Sequence, residues 1–245
     1  YLNKSVDNGV AGEVYRNSDA SLLESQDMFR LPGIIRSTYL TSRDAVHFDD
    51  IVVRTESIAD GNANIKLDVK QTGGTEVQYK VYPVQLYSDA LTSADAVVSG
   101  AKNDATLATS FATTFKMNDI KMWSSEEPYR YVLTAELKDK KGVVRDIVST
   151  YFGVRTVEIK ETAAEDDEFL LAGRYFYVNG KTVKLKGVNR HETNLTTGHT
   201  IGRAQMQEEV MLMKRGNINH VRNSHYSNDP YWYYLCDKYG IYLED

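Results

Sequence analysis

Along residues 183–245 the apolar and polar positions repeat one pattern three times. Val183-Lys184-Leu185-Lys186-Gly187-Val188 alternates with the period of a strand and ends in Asn189-Arg190-His191-Glu192. Met206, Val210, Met211 and Met213 then recur at helical spacing up to Gly216, a natural C-cap. A second short apolar strand, Ile218 to Val221, leads into Arg222, Asn223, Ser224 and His225. Asp229-Pro230 opens another helix, with Asp as N-cap and Pro at the first helical position, which runs through Trp232, Leu235 and Cys236 to Gly240. A third strand, Ile241-Tyr242-Leu243, ends in Glu244-Asp245. Strand, helix, strand, helix, strand with short connections makes right-handed parallel βαβ units, so the three polar clusters share one edge of the sheet. In a (β/α)8 barrel, that edge is where an active site is assembled.

Upstream the period changes. Apolar residues alternate through 51–53, 65–69, 77–87, 111–117, 131–137 and 143–152, with turn residues between them. Six or seven short strands in about 100 residues predict a β-sandwich of immunoglobulin type. Residues 88–106, rich in Ala, Asp, Ser and Gly, read as a long surface loop. The acidic stretch 161–168 lacks periodicity and is the best linker candidate. After it, Asn179-Gly180 between two apolar runs predicts a hairpin with a type I′ turn, whose second arm becomes the first parallel strand. Residues 1–20 are polar and suggest a domain entered midway.

Composition narrows the classes. The 245 residues are 42% hydrophobic and 26% charged, enough for a sizeable core in a soluble globular chain. No apolar run approaches the roughly 18 residues of a membrane span, and the first residues lack the basic and apolar regions of a signal peptide. A net charge of -5 without a basic block argues against nucleic-acid and anionic-membrane partners. The single cysteine, Cys236, can form no internal disulfide and sits on an apolar helix face, as a packed thiol would. It fits a reducing, cytoplasmic compartment.

Three stretches, KGVNRHE, VRNSHY and LCDKYGIYLED, resemble the start of the catalytic barrel of family 2 glycoside hydrolases, and bacterial β-galactosidases most of all. MWSSEEPYRYVLTAEL resembles the strand and proline turn of that family's sandwich domain, with Trp123, Pro128 and Tyr131 at matching positions. Trp123 itself is expected in the core rather than as a sugar platform. The run VYRNSDASLLESQDMFRLPGIIRSTYL resembles the end of the jelly-roll domain that precedes the sandwich, and QDMFRLPGI favours galactosidase over glucuronidase. The resemblance therefore implies a multidomain β plus α/β chain. Residues 1–45 would be the C-terminal part of a jelly-roll sugar-binding domain. Residues 46–160 would be an immunoglobulin-like β-sandwich, and 161–245 a linker, hairpin and the first three strands of a (β/α)8 TIM barrel.

A retaining glycosidase needs a carboxylic acid and a carboxylate nucleophile about 5 Å apart. The family places them after barrel strands four and seven, so this stretch contains neither catalytic residue and is expected to be inactive alone. Glu192, Glu208, Glu209 and Glu244 do not lie on those positions. The resemblance implies that His191 and His225 contact galactosyl hydroxyls, and that Arg222 supports the nucleophile's carboxylate. Asn189 and Arg190 would hold strand ends in place, and Asp245 matches an acidic residue at the end of strand three. Asp27 would reach the substrate's 6-hydroxyl and ligate sodium, a hard cation suited to oxygen donors. His47, His199 and His220 lack such company and read as structural, and metal-ligand spacing of the His-Glu-x-x-His kind is absent.

For the complete enzyme the resemblance further implies magnesium and sodium, no organic cofactor, a galactoside substrate such as lactose and a homo-oligomer. The sequence departs from the family pattern at Thr193-Asn194-Leu195, which replaces a His- and Pro-rich continuation, and at Asn223, where a cysteine is common. Two alternatives stand beside the galactosidase. One is another family 2 enzyme, a β-glucuronidase or β-mannosidase. The other is a non-catalytic β-sandwich carbohydrate-binding module, for which Tyr79, Tyr82 and Tyr87 could supply aromatics.

Overall fold

The computed structural model describes residues 34, 36–103, 109–166 and 170–245. Most of the expected jelly-roll segment, including Asp27 and nearly all of QDMFRLPGI, lies outside them.

Seven antiparallel strands form two facing sheets. They are β1 (His47–Ala59), β2 (Asn62–Thr72), β3 (Glu76–Pro83), β4 (Val98–Asn103), β5 (Ser110–Met117), β6 (Tyr131–Lys138) and β7 (Val144–Phe152). One sheet has the order β1-β2-β5 and the other β4-β3-β6-β7, the arrangement of an immunoglobulin-like sandwich. The alternation seen in the sequence supplies the core. Ile65, Leu67 and Val69 of β2 meet Val77 and Val81 of β3 and Leu133, Ala135 and Leu137 of β6, all 0–1% exposed. Truncating one of these leucines to alanine would cost about 2–5 kcal/mol.

The stretch 88–106 is not a plain loop, because β4 pairs with β3 along residues 98–103 and forms the edge of the four-stranded sheet. Its sequence, VSGAKN, has almost no apolar alternation, and none of its residues is fully buried. Gly100 is required there: a Cβ would sit 2.4 Å from the Tyr79 ring. The expected strand 77–87 is shorter than its apolar run and ends at Pro83, which lacks the N–H to continue a ladder.

Beyond the sandwich, β8 (Val157–Thr162), β9 (Gly173–Val178) and β10 (Lys181–Thr182) form a small antiparallel sheet of order β10-β9-β8. Glu161 and Thr162, the first residues of the expected linker, thus belong to a strand, and a short 3-10 turn, Ala164–Asp166, follows. The Asn-Gly turn forms as the dipeptide predicts, with positive φ at both Asn179 (53°) and Gly180 (75°).

The last unit is parallel: β11 (Gly187–Arg190), α1 (Arg203–Arg215), β12 (His220–Asn223), α2 (Pro230–Tyr239) and β13 (Tyr242–Glu244), with sheet order β11-β12-β13. Met206, Val210, Val221, Trp232, Leu235, Cys236 and Ile241 are its buried core. Asp229 caps α2 by accepting from the Tyr231 N–H at 2.8 Å. Gly216 ends α1, but the left-handed residue is Asn217 (φ 55°).

Each parallel strand sits later than its apolar run. Residues 183–186 make no ladder with β12, because the buried Asn219 side chain replaces one: its Oδ1 accepts from Lys186 N at 2.8 Å, and its Nδ2 donates to Lys184 O at 3.0 Å. The ladder begins at Gly187 and carries the polar residues Asn189, Arg222 and Glu244 inside the sheet rather than beyond it.

Trp123 joins the three units and is core, as expected, at 2% exposed. Its Nε1 donates to Asp237 O of α2 at 2.8 Å, and its carbonyl accepts from Asn179 Nδ2 of the hairpin at 3.0 Å. Its ring meets the edge of Tyr242, and the Arg155 guanidinium lies over it.

Candidate functional site

The register of the parallel sheet sorts the candidate residues. Asn189 pairs with Arg222 and Arg222 with Glu244, while Arg190 pairs with Asn223. Because side chains alternate across a strand, these two rows lie on opposite faces. The Arg190 row faces the helices. The Arg190 guanidinium lies 3.9 Å from the Trp232 ring centroid, donates to Glu209 Oε2 at 2.8 Å and bonds Asn228. Arg190 is thus a buried brace between β11, α1 and the loop before α2. The Asn189, Arg222 and Glu244 row lies on the face away from the helices, which in a barrel is the inside.

His191 and His225 come together at the ends of β11 and β12. Their ring centroids are 5.5 Å apart and the planes are nearly perpendicular, at 88°. Arg222 joins them: its Nη1 donates to His225 Nδ1 at 3.0 Å, and its Nε donates to Glu244 Oε1 at 3.2 Å. A guanidinium has no acceptor, so His225 Nδ1 must accept, and the ring proton resides on Nε2. His225 then offers one N–H donor outward, from an exposed ring. Such a donor suits a sugar hydroxyl.

Asp245 does not face this group. Asn223 Nδ2 donates to it at 2.9 Å and Tyr233 Oη at 2.7 Å, with Ser227 Oγ at 3.3 Å. These hydrogen bonds, that from Asn223 first, hold its carboxyl below the usual range. Asp245 therefore ties β13 to β12 and to the loop after it. Asn223, noted above as a departure from the family pattern, is one of its donors.

Two carboxylates have roles that periodicity could not reveal. Glu244 pairs with Arg222 because the register puts them side by side. Glu192, only 2% exposed, accepts from Arg36 Nη2 at 2.6 Å and from Asp229 N at 2.8 Å. His199 is half-buried beside Tyr226, whose hydroxyl lies 3.2 Å from its Nδ1. Burial raises the Cys236 thiol pKa far above its ordinary value, which removes it as a nucleophile and agrees with a packed role.

The candidate sodium ligand Asp27 lies outside the described residues. Among the described residues, no three His, Cys, Asp or Glu side chains converge as a metal site. No helix among the described residues is long and apolar enough to cross a membrane.

Comparison with known proteins agrees with this geometry. Two sequence models of one family match: "Glycosyl hydrolases family 2" over residues 46–155, and "Glycosyl hydrolases family 2, TIM barrel domain" over residues 169–245. A β-galactosidase of Streptococcus thermophilus is 39% identical across 98% of this chain and 21% of its own length. One of Priestia megaterium is 37% identical across 98% and 22%. The β-galactosidase large subunit of Lactobacillus acidophilus is 33% identical across 98% and 35%. The chain thus spans between a fifth and about a third of the length of these curated relatives. Among solved structures, a Bifidobacterium dentium β-glucuronidase complexed with coumarin-3-O-glucuronide superposes with a TM-score of 0.67 at 26% identity, over 81% of this chain and 30% of its own. The apo Bacteroides uniformis β-glucuronidase 3 gives 0.64 at 24% identity, over 81% and 22%. With the sandwich and the first parallel strands of the barrel both in place, the chain belongs to family 2 of the glycosyl hydrolases.

Proposed function

We propose that these residues are the glycone-gripping part of a retaining β-galactosidase that hydrolyses terminal β-D-galactosides such as lactose. The observation that carries the reading is the convergence of His191, His225 and Arg222 at the ends of adjacent parallel strands. His225 presents a neutral donor to a hydroxyl. Arg222, on the face that lines a barrel, would steady the charge of a nucleophilic carboxylate supplied by a later strand. A non-catalytic sandwich module would have no use for this group, and Tyr79, one of its candidate platforms, is buried at 7% exposed.

The choice of sugar rests on two supports. The relatives matched across 98% of the chain at 39% and 37% identity carry the name β-galactosidase. A glucuronide would in addition call for an uncommitted cation near its carboxylate. The guanidinium groups of Arg36 and Arg190 are already paired, with Glu192 and Glu209, and that of Arg222 is engaged by Glu244 and by the support proposed for the nucleophile. The glucuronidase reading is kept as the second because solved glucuronidases share the fold.

In the complete enzyme, magnesium and sodium would assist, with Asp27 among sodium's ligands, in a cytoplasmic homo-oligomer. The catalytic acid and nucleophile would come from later strands, so the 245-residue chain alone should not turn over substrate. The test assays the enzyme containing this stretch on aryl β-galactosides and aryl β-glucuronides, beside the isolated chain. Cleavage of the galactoside by the enzyme and none by the chain is expected. Preference for the glucuronide would overturn the sugar, and turnover by the pure isolated chain would overturn the division of labour.

A further inference from the structure

Glu192 directly follows His191 and has a side chain only 3% exposed. One oxygen, Oε1, accepts from the backbone N–H of Asp229 at 2.8 Å; the other, Oε2, accepts from Arg36 Nη2 at 2.6 Å. The same Arg36 nitrogen donates to the Ser227 carbonyl at 2.5 Å. His225 therefore lies on a short loop, residues 224–229, whose far end is held by the Glu192 carboxylate and the Arg36 guanidinium, beside the contacts of Arg190 with Asn228 and of Ser227 with Asp245. That carboxylate grows from the end of the strand carrying His191, and the guanidinium comes from the segment ahead of the sandwich, 156 positions away in the chain.

The pair is half-buried, with Glu192 enclosed and Arg36 partly open to solvent, and such a pair adds little net stability because desolvation and solvent screening offset most of the attraction. What it does supply is direction, since both partners must sit where their hydrogen bonds point. Here the directions fix the loop that sets His225 against His191. We propose that Glu192 and Arg36 are positioning residues of the glycone site, holding the spacing of the two histidines by clamping the loop 224–229. The inference rests on the reading of His191 and His225 as the groups that meet the sugar.

The test is a set of kinetic cycles in the complete enzyme, using whichever aryl glycoside the unaltered enzyme cleaves. Arg36→Ala is made alone and in a His225→Ala background. A group that acts through His225 loses its effect once His225 is gone, whereas a merely stabilising residue contributes the same factor in both. We expect Arg36→Ala to lower kcat between about 10-fold and 100-fold with KM changed less than about 3-fold, as a misplaced contact group does. In the His225→Ala background the further loss should be under about 2-fold. Glu192→Gln keeps an acceptor for the Asp229 N–H but removes the charge and puts an N–H donor where Arg36 needs an acceptor, so it provides the same comparison should Arg36→Ala not fold. Equal factors in the two backgrounds, or full kcat in both single variants, would overturn the proposal alone. An unimpaired His225→Ala enzyme would overturn the glycone reading, and the proposal with it.

Discussion

Arg222 donates to Nδ1 of His225 across 3.0 Å, so a residue with no acceptor sets the tautomer of its neighbour. Removing Arg222 would release that ring as well as the support expected for the nucleophile. In the complete enzyme, Arg222→Ala should lower kcat on the order of 100-fold while changing KM much less, since both losses fall mainly on the transition state. Arg222→Lys should recover little, because an ammonium cannot reproduce the fork that reaches His225 and Glu244 together. Steady-state kinetics on whichever aryl glycoside the unaltered enzyme cleaves checks this. A raised KM at unchanged kcat would mean that Arg222 binds sugar in the ground state instead.

Trp123 should dominate the stability of the junction. Its ring is buried among the sandwich, the hairpin and α2, and its N–H has a definite partner in Asp237 O. Trp123→Ala should cost about 3–5 kcal/mol. Trp123→Phe retains most of the apolar contact but leaves the Asp237 carbonyl without its donor, a loss on the order of 1–2 kcal/mol. Urea unfolding of both variants gives the two figures, and equal losses would contradict the assigned hydrogen bond.

A second contact between sandwich and barrel start depends on acid. Burial alone would raise the Asp89 carboxyl, but hydrogen bonds from Lys238, Tyr234 and Arg130 outweigh it and lower its pKa from 3.8 to about 2. A carboxyl whose folded pKa lies below its unfolded one contributes stability above the unfolded value and loses it as pH falls through the folded one. Asp89→Asn should therefore be less stable than the parent at pH 7, and the gap should close between about pH 4 and pH 2. With its side chain 42% exposed, the gap should stay below about 1 kcal/mol. Urea midpoints at neutral and acid pH decide it, and a gap that keeps its full neutral-pH size at about pH 2 would disprove the linkage.

How much the sequence revealed depended on whether a residue's role was local. Alternation in β2, β3 and β6 marked the sandwich core, and Asn179-Gly180 marked its turn, because both are short-range rules. The meeting of the two histidines was legible because each follows an apolar run of adjacent parallel strands. What escaped was set by partners far along the chain. Asn219 postpones the first parallel ladder with side-chain hydrogen bonds, and β4 exists because β3 offers it an edge. The pairing of Arg222 with Glu244 follows from register. Glu192 reads as one more acidic residue until Arg36, 156 positions earlier, arrives beside it.

Two glycines with the same backbone angle separate strain from crowding. Gly240 and Gly180 both have φ of 75°, a left-handed conformation that costs a residue with a Cβ roughly 1–2 kcal/mol. At Gly180 an added Cβ meets nothing within 4 Å. At Gly240 it would lie 2.3 Å from the Ser125 carbonyl oxygen, which is backbone and cannot rotate away. That same oxygen accepts from Lys214 Nζ at 2.9 Å, so displacing it also disturbs the contact between α1 and the turn after Trp123. Gly180→Ala should then cost about 1–2 kcal/mol. Gly240→Ala should exceed it by at least about 1 kcal/mol, the range in which overpacking against fixed atoms falls. Comparing the urea midpoints of the two variants tests the close approach of sandwich and barrel at this point. Equal costs would mean that the turn at Ser125 yields freely.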